Sequence, residues 1–256
     1  MTLPFDVAGS GPPVVLLHAG VADRRMWTGL LPALAERFRV LAPDLPGYGE
    51  APLSPGSYSN VAEVLAFLDD QDLGRVALVG ASFGGRVALE VATAAPDRVD
   101  RLVLLCPALR GVAPTAASEA SDAEEERLLE AGDVAGAVRL NVDTWLGPEA
   151  DDNARDLLTR MQRRAFDVQL AADEWPDPPT PARDDVDLSR LAVPTTVFLG
   201  AHDVDWLQHA AREIAGGVPG ATLTELDWAG HLPALERPAQ TAGLVLDALG
   251  DRGLTT

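Results

Sequence analysis

The stretch GASFGG, residues 80–85, follows the apolar run RVALV (75–79) and opens GGRVALEVATAAP (84–96), in which Val87, Val91 and Ala94 share one helical face and Pro96 ends the helix. Ser82 therefore sits where a strand turns into a helix. On so sharp a turn a serine is forced into a strained backbone conformation and lifts its hydroxyl above the sheet. The residues two positions away must be small for strand and helix to pass, which accounts for Gly80 and Gly84. Free amides and the positive dipole end at the helix start suit a developing oxyanion. Two other readings of the same residues stand beside this one. A glycine-rich strand-to-helix turn can cradle a phosphate, although Ser82 occupies the place of the dinucleotide fingerprint's second glycine and no Gly-Lys-Ser/Thr follows. The glycines can also serve packing alone.

Outward from this turn, apolar runs of strand length recur: PPVVLLHA (12–19), FRVLAPD (38–44), RVALVGAS (75–82), VDRLVLLCPA (99–108), VPTTVFLGAHD (193–203) and ATLTELDW (221–228). Continuous apolar runs read as strands buried on both faces. Helical stretches alternate with them: DRRMWTGLLPALAERF (23–38), NVAEVLAFLDDQ (60–71), the helix after Ser82, and RPAQTAGLVLDALGD (237–251). That alternation predicts a mostly parallel sheet with crossover helices. Residues 112–187 break the rhythm. No strand is expected there, and helices are expected over 118–131, 133–146 and 148 to about 172, with Asp133 as a cap and Pro148 in a first turn. The proline-rich WPDPPTPA (175–182) leads back to the sheet. The insertion holds 19 acidic residues and 7 arginines, a balance of −12. It is too small for a self-sufficient domain and reads as a lid on a core made of residues 1–111 and 188–256.

The chain has 256 residues, 47% of them hydrophobic, enough for a substantial core. Its formal charge is −19, and all 20 basic residues are arginine. Such a balance repels phosphate backbones and argues against nucleic acid and anionic membrane surfaces as partners. Cys106 is the single cysteine, the chain opens MTLPFDVAGSGPP without the basic start and apolar stretch of an export signal, and no apolar run approaches membrane-spanning length. The expected location is the cytoplasm.

A serine hydroxyl needs a base to accept its proton and a carboxylate to orient that base. Four histidines are available. His18 ends an early strand and reads as loop-shaping; His202 and His209 read as surface residues. His231, in WAGHLPALERP (228–238), follows the last expected strand in a loop braked by Gly230 and Pro233, where a base above the sheet belongs. For the carboxylate, VFLGAHDVDW (197–206) offers Asp203, nearer the strand, with Asp205 in reserve; both can equally cap the helix that follows. The chain order Ser82, Asp203, His231 is that of one particular fold. Histidine and cysteine spacings form no metal-ligand cluster, and Cys106 reads as a small buried apolar residue.

These residues together resemble the α/β-hydrolase superfamily over nearly the whole chain outside the insertion. VVLLHAG (14–20) is similar to the family's strand and His-Gly type turn, APDLPGYGEA (42–51) to its Asp-x-Pro-Gly-x-Gly loop, and GHLPALERP (230–238) to its histidine loop. HAGVADRRMW (18–27) resembles the oxyanion loop of small bacterial serine esterases and enol-lactone hydrolases, with Ala19 where a glycine is usual. The resemblance implies a sheet of seven to eight strands, with the lid inserted after the sixth family strand. It also implies acyl transfer on Ser82, with oxyanion amides from Gly20 and Phe83. Trp27 would lie beside that loop, and Trp145, Phe166 and Trp175 are candidate walls of the substrate pocket. The expected substrate is a small neutral or weakly charged ester or lactone, with no metal or organic cofactor. Carbon–carbon bond hydrolysis, cofactor-free perhydrolysis and a catalytically silent receptor are alternatives on the same scaffold.

Overall fold

The computed structural model describes residues 3–250. Among the described residues nine strands form: β1 Phe5–Ala8, β2 Pro13–Leu17, β3 Arg39–Pro43, β4 Ser57–Tyr58, β5 Val76–Ala81, β6 Val99–Leu105, β7 Thr180–Pro181, β8 Thr195–Gly200 and β9 Thr222–Leu226. The α-helices are α1 Leu31–Leu34, α2 Asn60–Asp70, α3 Phe83–Ala94, α4 Ala116–Glu130, α5 Val134–Trp145, α6 Asp152–Asp173, α7 Asp205–Gly217, α8 Pro233–Glu236 and α9 Pro238–Leu249. Seven strands make one sheet in the order β1-β3-β2-β5-β6-β8-β9, parallel throughout except for the leading β1.

The period of two along each strand divides the core between the two faces of this sheet. Val14 and Leu16, Ala77 and Val79, and Val103 and Leu105 belong to one buried cluster with Trp27, α9 and the insertion. Val15 and Leu17, Val76 and Leu78, and Leu102 and Leu104 belong to the other, with α2, α3 and α7. Burial on both faces is why the central runs carry no alternation of polar residues. The edge strand β9 departs from that reading: its first four residues are exposed and only Leu226 is buried, because it has a partner on one side only.

Other expectations are also corrected. Residues 23–38 do not form one helix but a 3-10 turn, Arg24–Trp27, and the single-turn α1. Pro32 lacks the N–H that would continue a helix through it, and Gly29 lies against Pro238 of α9. The insertion carries three helices as expected, with Asp133 capping α5 through Gly136 N–H at 2.8 Å. Its third helix is capped by Asp151, so Pro148 lies in the preceding loop. The proline-rich return includes β7, which pairs with β4 as a two-residue ladder. Of the three α3 residues expected on one face, Val87 and Val91 are buried and Ala94, at the helix end, is exposed. Among the described residues no helix is long and apolar enough to cross a membrane.

In a parallel sheet the strands' carboxyl ends share one edge, and loops leaving them meet there. Ser82 follows β5, Gly20 lies past β2, Asp203 past β8 and His231 past β9. The helices α4, α5 and α6, inserted between β6 and β8, contribute side chains to the cavity over this edge.

Candidate active site

Ser82 adopts φ 50° and ψ −115°, left-handed backbone in a non-glycine residue, at the N-cap of α3. Such a conformation costs energy and persists only where neighbours hold it. Here Ser82 N–H donates to Leu105 O at 3.0 Å, while Ser82 O accepts from Arg86 N–H at 3.0 Å and Ala108 N–H at 3.1 Å. The turn is pinned to β6 on one side and to the first turn of α3 on the other. A Cβ on Gly84 would strike the Leu17 carbonyl, and one on Gly80 would come within 2.6 Å of Gly85 Cα. The steric reading of both glycines holds. The Ser82 side chain lines a cavity and carries no hydrogen bond to another of the described residues.

His231 lines the same cavity and is itself 3% exposed. Its Nδ1 lies 2.9 Å from Asp203 Oδ2, and Asp203 Oδ1 accepts from Val204 N–H at 2.7 Å. The two candidates from distant strands are thus brought together, and with Asp203 unprotonated the contact requires Nδ1 to carry the proton, leaving Nε2 as the ring's acceptor. Asp205 is exposed; it accepts from Trp206 N–H at 2.8 Å and from Thr115 Oγ1 at 2.8 Å at the root of α4. The histidine loop is held on its other side by Glu236, a residue the sequence reading passed over. Its buried carboxylate accepts from Gly230 N–H at 2.8 Å and Leu232 N–H at 3.0 Å, the residues flanking His231. Burial pushes its carboxyl above the ordinary value, while those amides pull it back. His231 N–H donates to Trp145 O at 3.2 Å, and the two rings lie 4.8 Å apart.

Gly20 and Phe83 border the cavity beside Ser82. Phe83 is the first residue of α3, so its N–H has no intrahelical acceptor, and among the described residues the Gly20 N–H has no backbone acceptor either. Ala19 fits where glycine is usual: it is fully buried, and its N–H donates to Met26 Sδ at 3.3 Å. Behind the loop, His18 Nδ1 contacts Ala19 O at 2.9 Å while Nε2 accepts from Leu45 N–H at 2.9 Å. These partners require the neutral tautomer with Nδ1 protonated. Burial holds its pKa below the ordinary histidine value, against the pull of Ala19 O, Asp44 and Asp23. The loop-shaping reading of His18 holds, and His202 and His209 are exposed as expected. Asp44 knits the facing loop, accepting Arg24 N–H at 2.9 Å, Glu50 N–H at 2.8 Å and the Arg24 guanidinium.

The cavity over Ser82 has a volume of about 340 Å³ and adjoins a second chamber of about 370 Å³; Gly20, Phe83, Arg86 and Gln169 border both. Of the candidate wall residues, Trp145 and Phe166 line the first. Trp27 does not: it is fully buried in the core below the loop, its bulk taken up by packing. Trp175 is likewise outside both chambers, in the turn that follows α6. Sequence reasoning missed Arg86, Asn141, Gln162 and Gln169. The first was within reach, since a residue four positions after Ser82 on a helix lies above it on the same face; the others needed the insertion's packing. Asn141 accepts from Trp145 Nε1 at 2.6 Å and also bonds Glu125, so it orients the indole against His231.

Cys106, Asp203 and His231 bring one donor atom each within 4.8 Å, a grouping of metal-capable side chains that spacing did not reveal. Their chemistry fits a metal poorly. Burial and the nearby Asp203 charge raise the Cys106 thiol well above its ordinary value, so it stays protonated, and its Sγ contacts Gly230 O at 3.5 Å. Asp203 and His231 are engaged with each other.

A family model described as the alpha/beta hydrolase family matches residues 14–244. The chain belongs to that family. It is 32% identical over 266 aligned residues to an uncharacterized protein of Mycobacterium tuberculosis, covering 94% of this chain and 76% of the other. Among solved structures, a hydrolase from Pseudomonas aeruginosa superposes with a TM-score of 0.77 at 29% identity, over 96% of this chain and 93% of that one. A thermophilic esterase from Thermogutta terrifontis superposes with a TM-score of 0.78 at 26% identity, over 96% and 92% of the two chains. The alpha/beta hydrolase fold and its seven-stranded, mostly parallel sheet agree with the sequence reading.

Proposed function

We propose that this alpha/beta hydrolase is a serine hydrolase that cleaves small carboxylic esters or lactones through an acyl-enzyme on Ser82. The observation that carries the reading is the 2.9 Å contact between His231 and buried Asp203, at a ring that shares its cavity with a serine in strained backbone. The structural neighbour from Thermogutta terrifontis, an esterase, supports the substrate class.

In this reading His231 Nε2 takes the Ser82 proton as the oxygen attacks the carbonyl, and Asp203 stabilises the imidazolium that forms. The Gly20 and Phe83 amides receive the oxyanion. The proton then passes to the departing alkoxide, and a water activated by the same nitrogen releases the acid. The serine–histidine hydrogen bond forms once substrate closes the cavity. No step calls for a metal or organic cofactor. The insertion acts as a lid, with Trp145 and Phe166 as its walls over the reacting centre. Ser82→Ala is expected to lower turnover of a simple aryl ester by at least about a thousandfold. Intact-mass analysis of the wild type during turnover should also find one acyl group, absent in the variant. Full activity in Ser82→Ala would sink the assignment.

A further inference from the structure

The two chambers flanking Ser82 contain polar groups that the protein leaves without partners. Arg86 Nε is buried and makes no hydrogen bond to any of the described residues. Its nearest carboxylate, Glu90, lies 3.8 Å away and already accepts from Arg110 Nε at 3.0 Å on the same oxygen. The guanidinium lies over the Phe83 ring, its Cζ 5.0 Å from the ring centroid, and both residues border both chambers. Asn60, in the second chamber, and Gln162, in the first, are each 4% exposed, and each has a carbonyl oxygen without a donor. Orphaned buried polar groups are costly, and the free Arg86 donor at the border of the two adjoining chambers points to a ligand that brings an acceptor to it.

We propose that Arg86 anchors a carboxylate of the substrate in the second chamber, so that the preferred ester or lactone bears an anionic group a few carbon atoms from the reacting carbonyl. This rests on the serine hydrolase reading and adds to it the class of acyl group. Arg86 lies one helical turn beyond Ser82, an axial advance of about 6 Å, which keeps the anchored group short. The charge pattern sets the direction. Asp122 and Glu125 line the first cavity from α4 and repel an anion there, whereas the charged residues lining the second chamber are Arg86 and Asp173. Asp173 is exposed, where solvent screens it. Asn60 lies in the same chamber, where rotation of its amide turns the NH2 group, in place of the unpartnered Oδ1, to donate to the carboxylate.

The test compares mono(4-nitrophenyl) glutarate with 4-nitrophenyl pentanoate, which replaces the carboxylate by a methyl group, after subtraction of enzyme-free hydrolysis. Wild type should favour the glutarate in kcat/KM by about tenfold or more, as a charge-assisted hydrogen bond provides. Arg86→Gln should collapse that ratio toward one. Asn60→Asp, which sets a like charge in the same chamber, should lower it by about fivefold or more, and serves where the first variant does not fold. Equal kcat/KM for the two esters in wild type, or a ratio unmoved in a folded variant, overturns the anchor. Hydrolysis of both esters that survives Ser82→Ala overturns the serine reading instead.

Discussion

The helices α3 and α4 flank the same cavity, yet α3 buries eight of its twelve residues and α4, with fifteen, buries none. The first is wedged against β5, β2 and β6, with glycines where it crosses the sheet. The second rests on α5 and is tied down by side chains: Thr115 to Asp205 at its root, and Glu125 to Asn141 along its length. Groups that must meet at fixed distances are carried by the packed layer, where displacement would open voids or force clashes. The outer layer, which lends Asp122 and Glu125 to the cavity, can change without disturbing the sheet below.

Substitutions can break this contrast. Leu89→Ala in α3 should cost about 2–5 kcal/mol of unfolding free energy, whereas Glu126→Ala on the exposed face of α4 should stay within about 0.5 kcal/mol, both read by urea denaturation. Equal losses would mean that α4 is part of the cooperative core. The two aspartates sharpen the contrast at the site. Asp203→Asn should lower kcat about a hundredfold or more, because the ring loses the partner that fixes its tautomer. Asp205→Asn, which loosens only the root of α4, should change kcat by less than about twofold. The smallest effect is expected from His18. Its folded pKa is depressed, so the unfolded chain binds the extra proton; stability is complete above about pH 6.5 and falls as pH drops below it. The urea midpoint should show that decline, and His18→Gln should flatten it.

How much was legible in the chain depended on how local the cause was. The strand, turn and helix around Ser82 were readable because glycine at 80 and 84 answers a contact between neighbours in sequence. The central strands were readable because burial on both faces leaves unbroken apolar runs. The segment 23–38 misled because its helical periodicity was overridden by Pro32 and by the approach of α9 to Gly29. Trp27 was placed at the pocket by the resemblance of its loop and Trp175 by residue type, and neither says which face of a loop turns inward. Glu236 was missed because its role is to accept backbone amides on either side of His231, a relation with no spacing signature.

The amino-acid sequence by itself determined the alternation of strands and helices, the strained turn at Ser82 and the presence of an acidic helical insertion. These follow from periodicity, glycine sterics and charge, all of which act over a few residues. Tertiary structure alone decided that Asp203 faces His231 and not solvent, that Arg86 keeps a buried donor free, and that α4 lies outside the packed core. Those outcomes depend on which loops the parallel sheet gathers at one edge, and contacts between segments far apart in the chain leave no periodic trace.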